Sequence, residues 1–548
     1  MNSRGILVTV GCWVLLSMFL VCLGWENRSQ PGLYYDEAVF AGMARDFLEA
    51  RHDSPHMPGH LTLNLLDRPF PILIQSYLGA LKSWLLMPVF GLFGSSQSVL
   101  RMANLGWSVF GILLFILWSR KLFGTRESLI AGCLLALDPS FFYLSLLDWG
   151  AAVPSFVFRN GAILLVILAF KRRSIGYFLL AGLAFGLCFF NKIDFLVFLG
   201  GMAVSSFLVW REESIALLRS NRGGLVALVL GFILGAGPIL SNLPQIVKET
   251  VTGGFLFDMD EMPEKINTLL AMYDGSYFYR LFMAGGLFYR IEQISSTVWT
   301  PLGGSLLACI FLQIIFWWQP AADMDKRKKQ TFILLAGVFI TVGILLMPGA
   351  VRIHHTALVY PFPHLIIAFT LVGVWDIWRR SPERKWPLRS SVLLVTLVVL
   401  SSQLYAIRQT QSVIRRTGGS GWWSSALNSF CREYEHSTDI SIVSMDWGFN
   451  EQLVFLTNGP RLFEPFWYQP RSSRVMLPQD PDIVYLVHPS EYALFPFGES
   501  LSKFTRVAEK GIELRPWRDK AGAVSFYSIR FLAPVSADTA PVYIKPIT

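Results

Sequence analysis

The sequence predicts a polytopic α-helical membrane protein of about 11 transmembrane helices, followed by a C-terminal extracytoplasmic α/β domain. Three observations lead there. Of 548 residues, 53% are hydrophobic and only 16% are charged, with a mean hydropathy of +0.46; ordinary soluble domains are far more polar. Apolar runs of roughly 20 residues recur along the first three quarters of the chain, each long enough to cross a bilayer core of ~30 Å at ~1.5 Å per residue. The last 140 residues or so lose that pattern and alternate short apolar runs with helical ones.

The first run, about 5–24, is too long and too poor in a small-residue cleavage site for a removed signal peptide, so it is read as a retained helix. Further spans are expected at about 98–119, 127–146, 154–170, 175–191, 193–210, 224–242, 296–318, 331–347, 353–375 and 390–407. Segment 71–92 is also apolar but is interrupted by Pro71, Lys82 and Pro88. Counting it as a span would invert every later loop. Placing it along the membrane surface gathers five short loops and the N-terminus on one side. Those loops hold 19 basic residues, among them Arg120, Lys171, Arg211, Lys328 and Arg379, against seven acids. Their surplus exceeds the +9 of the whole chain, as the positive-inside rule requires of cytoplasmic loops. The basic balance is thus assigned to anionic lipid and not to nucleic acid.

This topology puts the remaining features on the outer face. Residues 38–50 have an amphipathic pattern, with Phe40, Met43, Phe47 and Leu48 on one side, and are expected as an interfacial helix, with 71–92 as a second. A long outer loop covers 243–295. The chain divides into a transmembrane domain, 1–407, and a soluble domain, 408–548, with strands expected at 440–445, 483–487 and 524–531 and helices at 424–434 and 498–509. Cys12, Cys22, Cys133, Cys188 and Cys309 lie in apolar spans and Cys431 stands alone, which argues against a disulfide framework or a cysteine metal site. Neither a phosphate-binding G-x-x-x-x-G-K-[ST] loop nor a dinucleotide fingerprint is present.

The candidates for chemistry cluster on that outer face. Asp36 and Glu37 follow Tyr34-Tyr35 directly after the first span. A half-shielded carboxylate has the raised basicity of a general base; the structural alternative makes Asp36 the N-cap of 38–50 and Glu37 a first-turn acid. Arg68, in Asp67-Arg68-Pro69-Phe70-Pro71, suits a phosphate or a solvated ion pair with Asp67. Asp148, before Trp149, is a substrate ligand or an interfacial turn. Lys192 could neutralise a lipid phosphate, snorkel, or pair with Asp194. Arg352 lies beside His354 and His355, and one histidine could join Asp36 or Asp67 around a divalent ion; Asp67 and His354 are the candidate ligands. The outer loop offers Asp258, Asp260, Glu261 and Glu264, then Tyr273, Asp274, Tyr277 and Tyr279, a combination of acids and rings that suits sugars and also describes many surface loops.

Taken together these segments resemble the membrane glycosyltransferases of the GT-C class, in particular the family-39-like branch of protein O-mannosyltransferases and the aminoarabinose transferase of lipid A. Tyr35-Asp36-Glu37 matches the acidic motif of the first outer loop. Asp67-Arg68-Pro69 is similar to an acid-Lys-Pro-Pro segment, with Arg for Lys and Phe70 intervening before Pro71. Leu92-Phe93-Gly94-Ser95-Ser96 with Leu100-Arg101, Arg120-Lys121-Leu122-Phe123-Gly124 and Asn191-Lys192 resemble further stretches. The resemblance spans about 30–210. It implies an inverting transferase that moves a sugar from a polyprenyl-phosphate donor to a hydroxyl of a glycan, lipid or protein acceptor at the extracytoplasmic face, in a bacterial inner membrane. It further implies that Asp36 is the catalytic carboxylate, that Asp67 corresponds to an acid that binds a metal in part of the group, and that Arg68 and Lys192 neutralise the lipid phosphate; beside the resemblance, Glu37 is read as a second catalytic acid, Tyr35 as a substrate contact and Arg352 as a further phosphate ligand. The rival reading, a flippase or transporter of lipid-linked saccharides, would call for internal repeats and ionisable groups near the bilayer midplane; the sequence has no repeat, and its acids sit at the boundary.

Overall fold

The computed structural model describes residues 3–252, 258–317, 324–379, 385–465, 475–476, 480–494, 512–532 and 543–544. Helix α1 (Ser3–Trp25) leads into α2 (Tyr35–Glu49), a small antiparallel sheet of β1 (Leu61–Asn64), β2 (Pro69–Gln75) and β3 (Leu78–Gly79), and α3 (Leu81–Phe93). The membrane region continues with α4 (Gln97–Leu122), α5 (Thr125–Ala136), α6 (Pro139–Leu147), α7 (Ala152–Arg172), α8 (Ile175–Asn191) and α9 (Phe195–Val209). After α10 (Arg211–Ser220) and α11 (Arg222–Leu240), the outer segment folds as α12 (Leu243–Thr252), α13 (Met262–Tyr273) and α14 (Tyr277–Met283). Then come α15 (Leu302–Trp317), α16 (Met324–Leu346), the single turn α17 (Ile353–Thr356), α18 (Phe362–Arg379) and α19 (Lys385–Thr417).

Among the described residues seven helices are long and apolar enough to cross a membrane, and an eighth crossing is formed if α5 and α6, bent by 65°, count as one. The shorter apolar helices α8, α9 and α15 occupy the other three expected spans. The α5–α6 bend has a local cause. Pro139 cannot continue the hydrogen-bond ladder of α5, and Asp138 restarts it as N-cap by accepting from the backbone N–H groups of Ser140 (2.8 Å) and Phe141 (3.1 Å). α8 and α11 pack through glycines at four-residue spacing. A Cβ on Gly182 would lie 2.0 Å from the Leu228 carbonyl oxygen, and one on Gly231 would lie 2.1 Å from that of Leu179, so this close contact requires small residues.

Two expectations are corrected. Residues 71–92 are not one surface helix. Their first part is strand, because Ile72 and Ile74 alternate with Pro71 and Leu73 while β2 pairs with β1 and β3, and helix begins only at Leu81. Nor does α2 lie as a half-wet interfacial helix: Tyr35 and all residues from Glu37 to Asp46 are buried, packed under α3 and the C-terminal domain. The last membrane helix also runs ten residues beyond 407, to Thr417.

The C-terminal domain begins after that helix. It comprises α20 (Ala426–Tyr434), β4 (Ser441–Ser444), α21 (Asn450–Leu456), β5 (Arg461–Phe463), β6 (Val475–Met476), β7 (Ile483–Val487), β8 (Ile512–Arg518), β9 (Val524–Phe531) and β10 (Tyr543–Ile544). Five strands form a mixed sheet in the order β5-β4-β7-β9-β8, parallel across β5-β4-β7 and antiparallel across β7-β9-β8. Phe430 of α20 packs edge-on against Trp517 and Phe526, which covers one face of the sheet. The helix expected at 498–509 lies outside the described residues.

Candidate active site

α2 carries the site, and its N-terminus is pinned from two sides. Gly32 donates its N–H to the carbonyls of Trp423 (2.7 Å) and Gly418 (3.2 Å), and a Cβ there would lie 2.3 Å from the Ser424 oxygen. Arg101 of α4 donates to the carbonyls of Pro31 (2.7 Å) and Gly32 (3.0 Å). Its guanidinium also forks onto Glu37, at 2.9 and 2.7 Å. Both side chains are fully buried. The other Glu37 contact is the backbone N–H of Tyr34, 3.2 Å from Oε1. Glu37 is therefore saturated, and its expected place among the reacting groups is corrected: it fixes the loop that presents Asp36.

Asp36 is the opposite case. It is not the N-cap, a position held by Tyr34. No hydrogen bond or salt bridge among the described residues engages its carboxylate. Burial raises its pKa to about 7 against the lowering pull of Arg352 and Lys192, while Glu451 raises it further and Lys82 lowers it. Near neutral pH it can accept a proton. Around it stand Tyr34, stacked on Trp423 with ring centroids 4.3 Å apart, Trp149 and Trp447, which packs on both Tyr34 and Tyr35. The Tyr35 hydroxyl donates to Glu464, 3.1 Å away, which gives it a structural partner in the C-terminal domain.

The two nearby cations reach the site from different elements. Lys192 closes α8, with Nζ 3.3 Å from Asp194 and 3.4 Å from His355 Nδ1. Arg352 precedes α17. It donates to Glu264 at 2.9 Å and its guanidinium sits 3.7 Å over the Phe288 ring. His354 packs edge-on to Trp149, and Gly150 leaves room for its ring: a Cβ there would lie 2.3 Å from His354 Cγ.

Several expected ligands are elsewhere or already engaged. Arg68 donates to the carbonyls of Phe47 (3.0 Å) and Leu48, capping the far end of α2. From Asp36 to that end is about 11 residues, roughly 17 Å along the axis. Arg68 thus does not hold a phosphate beside Asp36. Asp67 shares that turn, with positive φ and its carbonyl oxygen 3.1 Å from His52 Nε2. It cannot share an ion with His354, and among the described residues no group of three or more His, Cys, Asp or Glu side chains could hold a metal. Asp148 caps α7 by accepting from Ala152 (2.7 Å) and Val153 (3.1 Å) N–H groups and pairs with the fully buried Lys82 at 3.2 Å, so it is a clamp between α3 and α7 and not a free substrate ligand.

The residues that sequence reasoning passed over come mostly from the C-terminal domain. Glu451 of α21 accepts from the Met57 N–H (2.8 Å) and binds His56 Nδ1 (2.8 Å), whose Nε2 meets Asp46 (2.7 Å). Burial lowers the His56 pKa, but Glu451 and Asp46 outweigh it and raise it to about 10, so the imidazolium is held between two carboxylates. Arg45 and Arg51 add bonds to carbonyls at the end of α21. The signal was Asp446-Trp447-Gly448-Phe449-Asn450-Glu451, an acidic and aromatic run directly after a strand.

Comparison with known proteins agrees with this architecture. Residues 79–240 match the model of the dolichyl-phosphate-mannose-protein mannosyltransferase family. The structure is similar to that of ArnT from Cupriavidus metallidurans bound to undecaprenyl phosphate, with a TM-score of 0.56 at 13% identity over 97% of this chain and 99% of that one. It is also similar to the oligosaccharyltransferase of Archaeoglobus fulgidus in its apo form, with a TM-score of 0.51 at 14% identity over 88% of this chain and 69% of that one. No curated protein is similar enough in sequence to count as a match. The chain has the GT-C-like membrane fold of these transferases, an integral membrane helical region joined to a sheet-containing C-terminal domain.

Proposed function

We propose that the protein is an inverting glycosyltransferase that moves a sugar from a polyprenyl-phosphate donor to an acceptor hydroxyl. The reaction takes place at the extracytoplasmic face of a plasma membrane, the bacterial inner membrane. The observation that carries this reading is the unpaired Asp36 carboxylate, with a pKa near 7 that burial raises against the pull of Arg352 and Lys192. The acceptor oxygen attacks the anomeric carbon from the side opposite the phosphate. Its proton passes to Asp36, and the bond from the anomeric carbon to the phosphate oxygen breaks with its electron pair on that oxygen. Polyprenyl phosphate leaves, its charge held by Arg352 and Lys192. The leaving group already activates the sugar, so no nucleotide is consumed. The described residues offer no metal cage, and no step is routed through a metal ion. The orientation rests on the basic loops that close α4, α7 and α9, which assign the opposite face, and Asp36 with it, to the outside.

The test is to incubate the purified protein in lipid nanodiscs with a panel of polyprenyl-phosphate sugars and measure released polyprenyl phosphate and the anomeric configuration of the product. Release with inversion is the expected result. Transport of intact donor across a sealed vesicle, with no release from any panel member, would contradict the proposal.

A further inference from the structure

A cavity of about 410 Å³ lies between α13, α14 and the residues around Phe288; Phe278 of α14 packs on Trp149 (ring centroids 5.5 Å apart), which packs on Tyr34 (5.8 Å), two residues before Asp36. Arg352 stands behind its lining: the guanidinium bonds Glu264 and covers the Phe288 ring, and both residues line the cavity. The same arginine is the strongest cationic influence on Asp36. The size is that of a small-ligand site.

The lining is distinctive in its charge. Glu264, Asp274 and Glu292 stand against one guanidinium, Arg280. Asp274 is 3.7 Å from Arg280, Glu264 is engaged by Arg352, and Glu292 is exposed with no ion pair among the described residues. Arg280 Nε is buried with no hydrogen-bond partner, and the Tyr277 hydroxyl makes none of good geometry. Asn267 and Thr268 add an amide and a hydroxyl. Carboxylates, amides and hydroxyls together bind saccharides, whose hydroxyls donate to carboxylates and accept from amides. With Glu264 paired to Arg352 and Asp274 facing Arg280, Glu292 is the carboxylate in excess, and its charge disfavours anions.

We infer that this cavity is the acceptor subsite, and that it takes a saccharide that is uncharged or amino-substituted, not one carrying a phosphate or a carboxylate. The inference rests on the reading of Asp36 as the base that the acceptor hydroxyl must reach. In the folded enzyme the acceptor lies against Asn267, Thr268, Asp274 and Arg280, with its reactive hydroxyl directed past Arg352 toward Asp36.

Binding is measured on the full-length protein in nanodiscs by saturation-transfer NMR, without donor. The probes are methyl mannobioside, deacetylated chitobiose, mannose 6-phosphate and a serine-containing tripeptide. The first two are expected to bind, and the phosphorylated sugar at least tenfold more weakly. Glu292→Lys, at an exposed position that leaves the fold intact, should weaken both by fivefold or more; Asn267→Ala should weaken the neutral disaccharide. Binding of the phosphorylated sugar as tightly as the others overturns the inference. So does binding of the peptide alone, binding of no probe, or affinity unchanged in Glu292→Lys. Asp36→Asn should bind the disaccharides as the wild type does. If Asp36→Asn also transfers sugar normally, the reading of Asp36 fails while the subsite stands; if Asp36→Asn is inactive but Glu292→Lys binds normally, only the subsite fails.

Discussion

The two ends of one buried network, Asp36 and the pairs around it, show how this molecule distinguishes a working charge from a structural one. Asp36 and Glu37 are adjacent in sequence, yet Glu37 has a bidentate arginine and a backbone donor whereas Asp36 has neither. Farther along α2, Asp46 is met by His56 and Arg51. In a water-poor region a carboxylate with every lone pair occupied is fixed in its ionised form, while one left with only distant cations is poised between its two forms. The lesson is that the acids of α2 are sorted by their partners on α4 and α21 and not by their place on the helix.

Four changes should break or sharpen that contrast. The largest effect is expected at the saturated pair. Glu37→Gln or Arg101→Met leaves a buried charge alone and should destabilise the protein by about 3–5 kcal/mol, seen as a large drop in melting temperature and yield. A variant of Glu37 that is stable but inactive would place Glu37 among the reacting groups after all.

The domain clamp should come next. The folded His56 pKa of about 10 lies above its unfolded value, near 6.5, so its contribution is fully present below pH ~6.5 and is lost as pH rises through 10. Melting of wild type and His56→Gln should differ most at pH 6 and converge above pH 10; a constant gap across that range would mean the imidazolium adds nothing by its charge.

A smaller, more diagnostic effect concerns the cations. Removing Arg352 or Lys192 takes away the two strongest lowering influences on Asp36, so Arg352→Met and Lys192→Met should each move the acid limb of the pH–rate profile upward from about 7. Each should also weaken donor binding more than about tenfold, ~1.4 kcal/mol. Glu451→Gln should move the same limb downward. A limb near pH 4 in all four proteins would show that Asp36 is not the titrating group.

Smallest of all should be Arg68→Ala. Loss of a side-chain cap on α2 costs roughly 1 kcal/mol, and donor affinity should not change. A tenfold loss of donor affinity would return Arg68 to the phosphate.

Much of the scaffold was legible because the bilayer enforces a simple code. Run length located the apolar helices from α1 to α19, seven or eight of which are long enough to cross a membrane among the described residues, and alternation located β4, β7 and β9. Segment 71–92 misled because Pro71, Ile72, Leu73 and Ile74 are apolar enough for a surface helix, and only pairing with β1 decides for strand. The site was half legible. Tyr35-Asp36-Glu37 stood out, and topology assigned Lys192 and Arg352 to the same face. The roles of Glu37, Asp148 and Arg68 were not, since each is set by a partner distant in sequence, and Glu451 lies 395 positions from the His56 it binds.

The account turns on Asp36, and one paired measurement tests it most directly: single-turnover transfer and melting temperature of Asp36→Asn beside wild type. The amide keeps the shape, leaves the Glu37–Arg101 pair untouched and cannot accept the acceptor's proton. The account predicts a melting temperature equal to or above that of wild type, because a costly buried charge is gone, together with transfer reduced by at least about 10²-fold, the lower end of what a positioned general base contributes. Transfer within a few-fold of wild type, in a protein that melts normally, would contradict it.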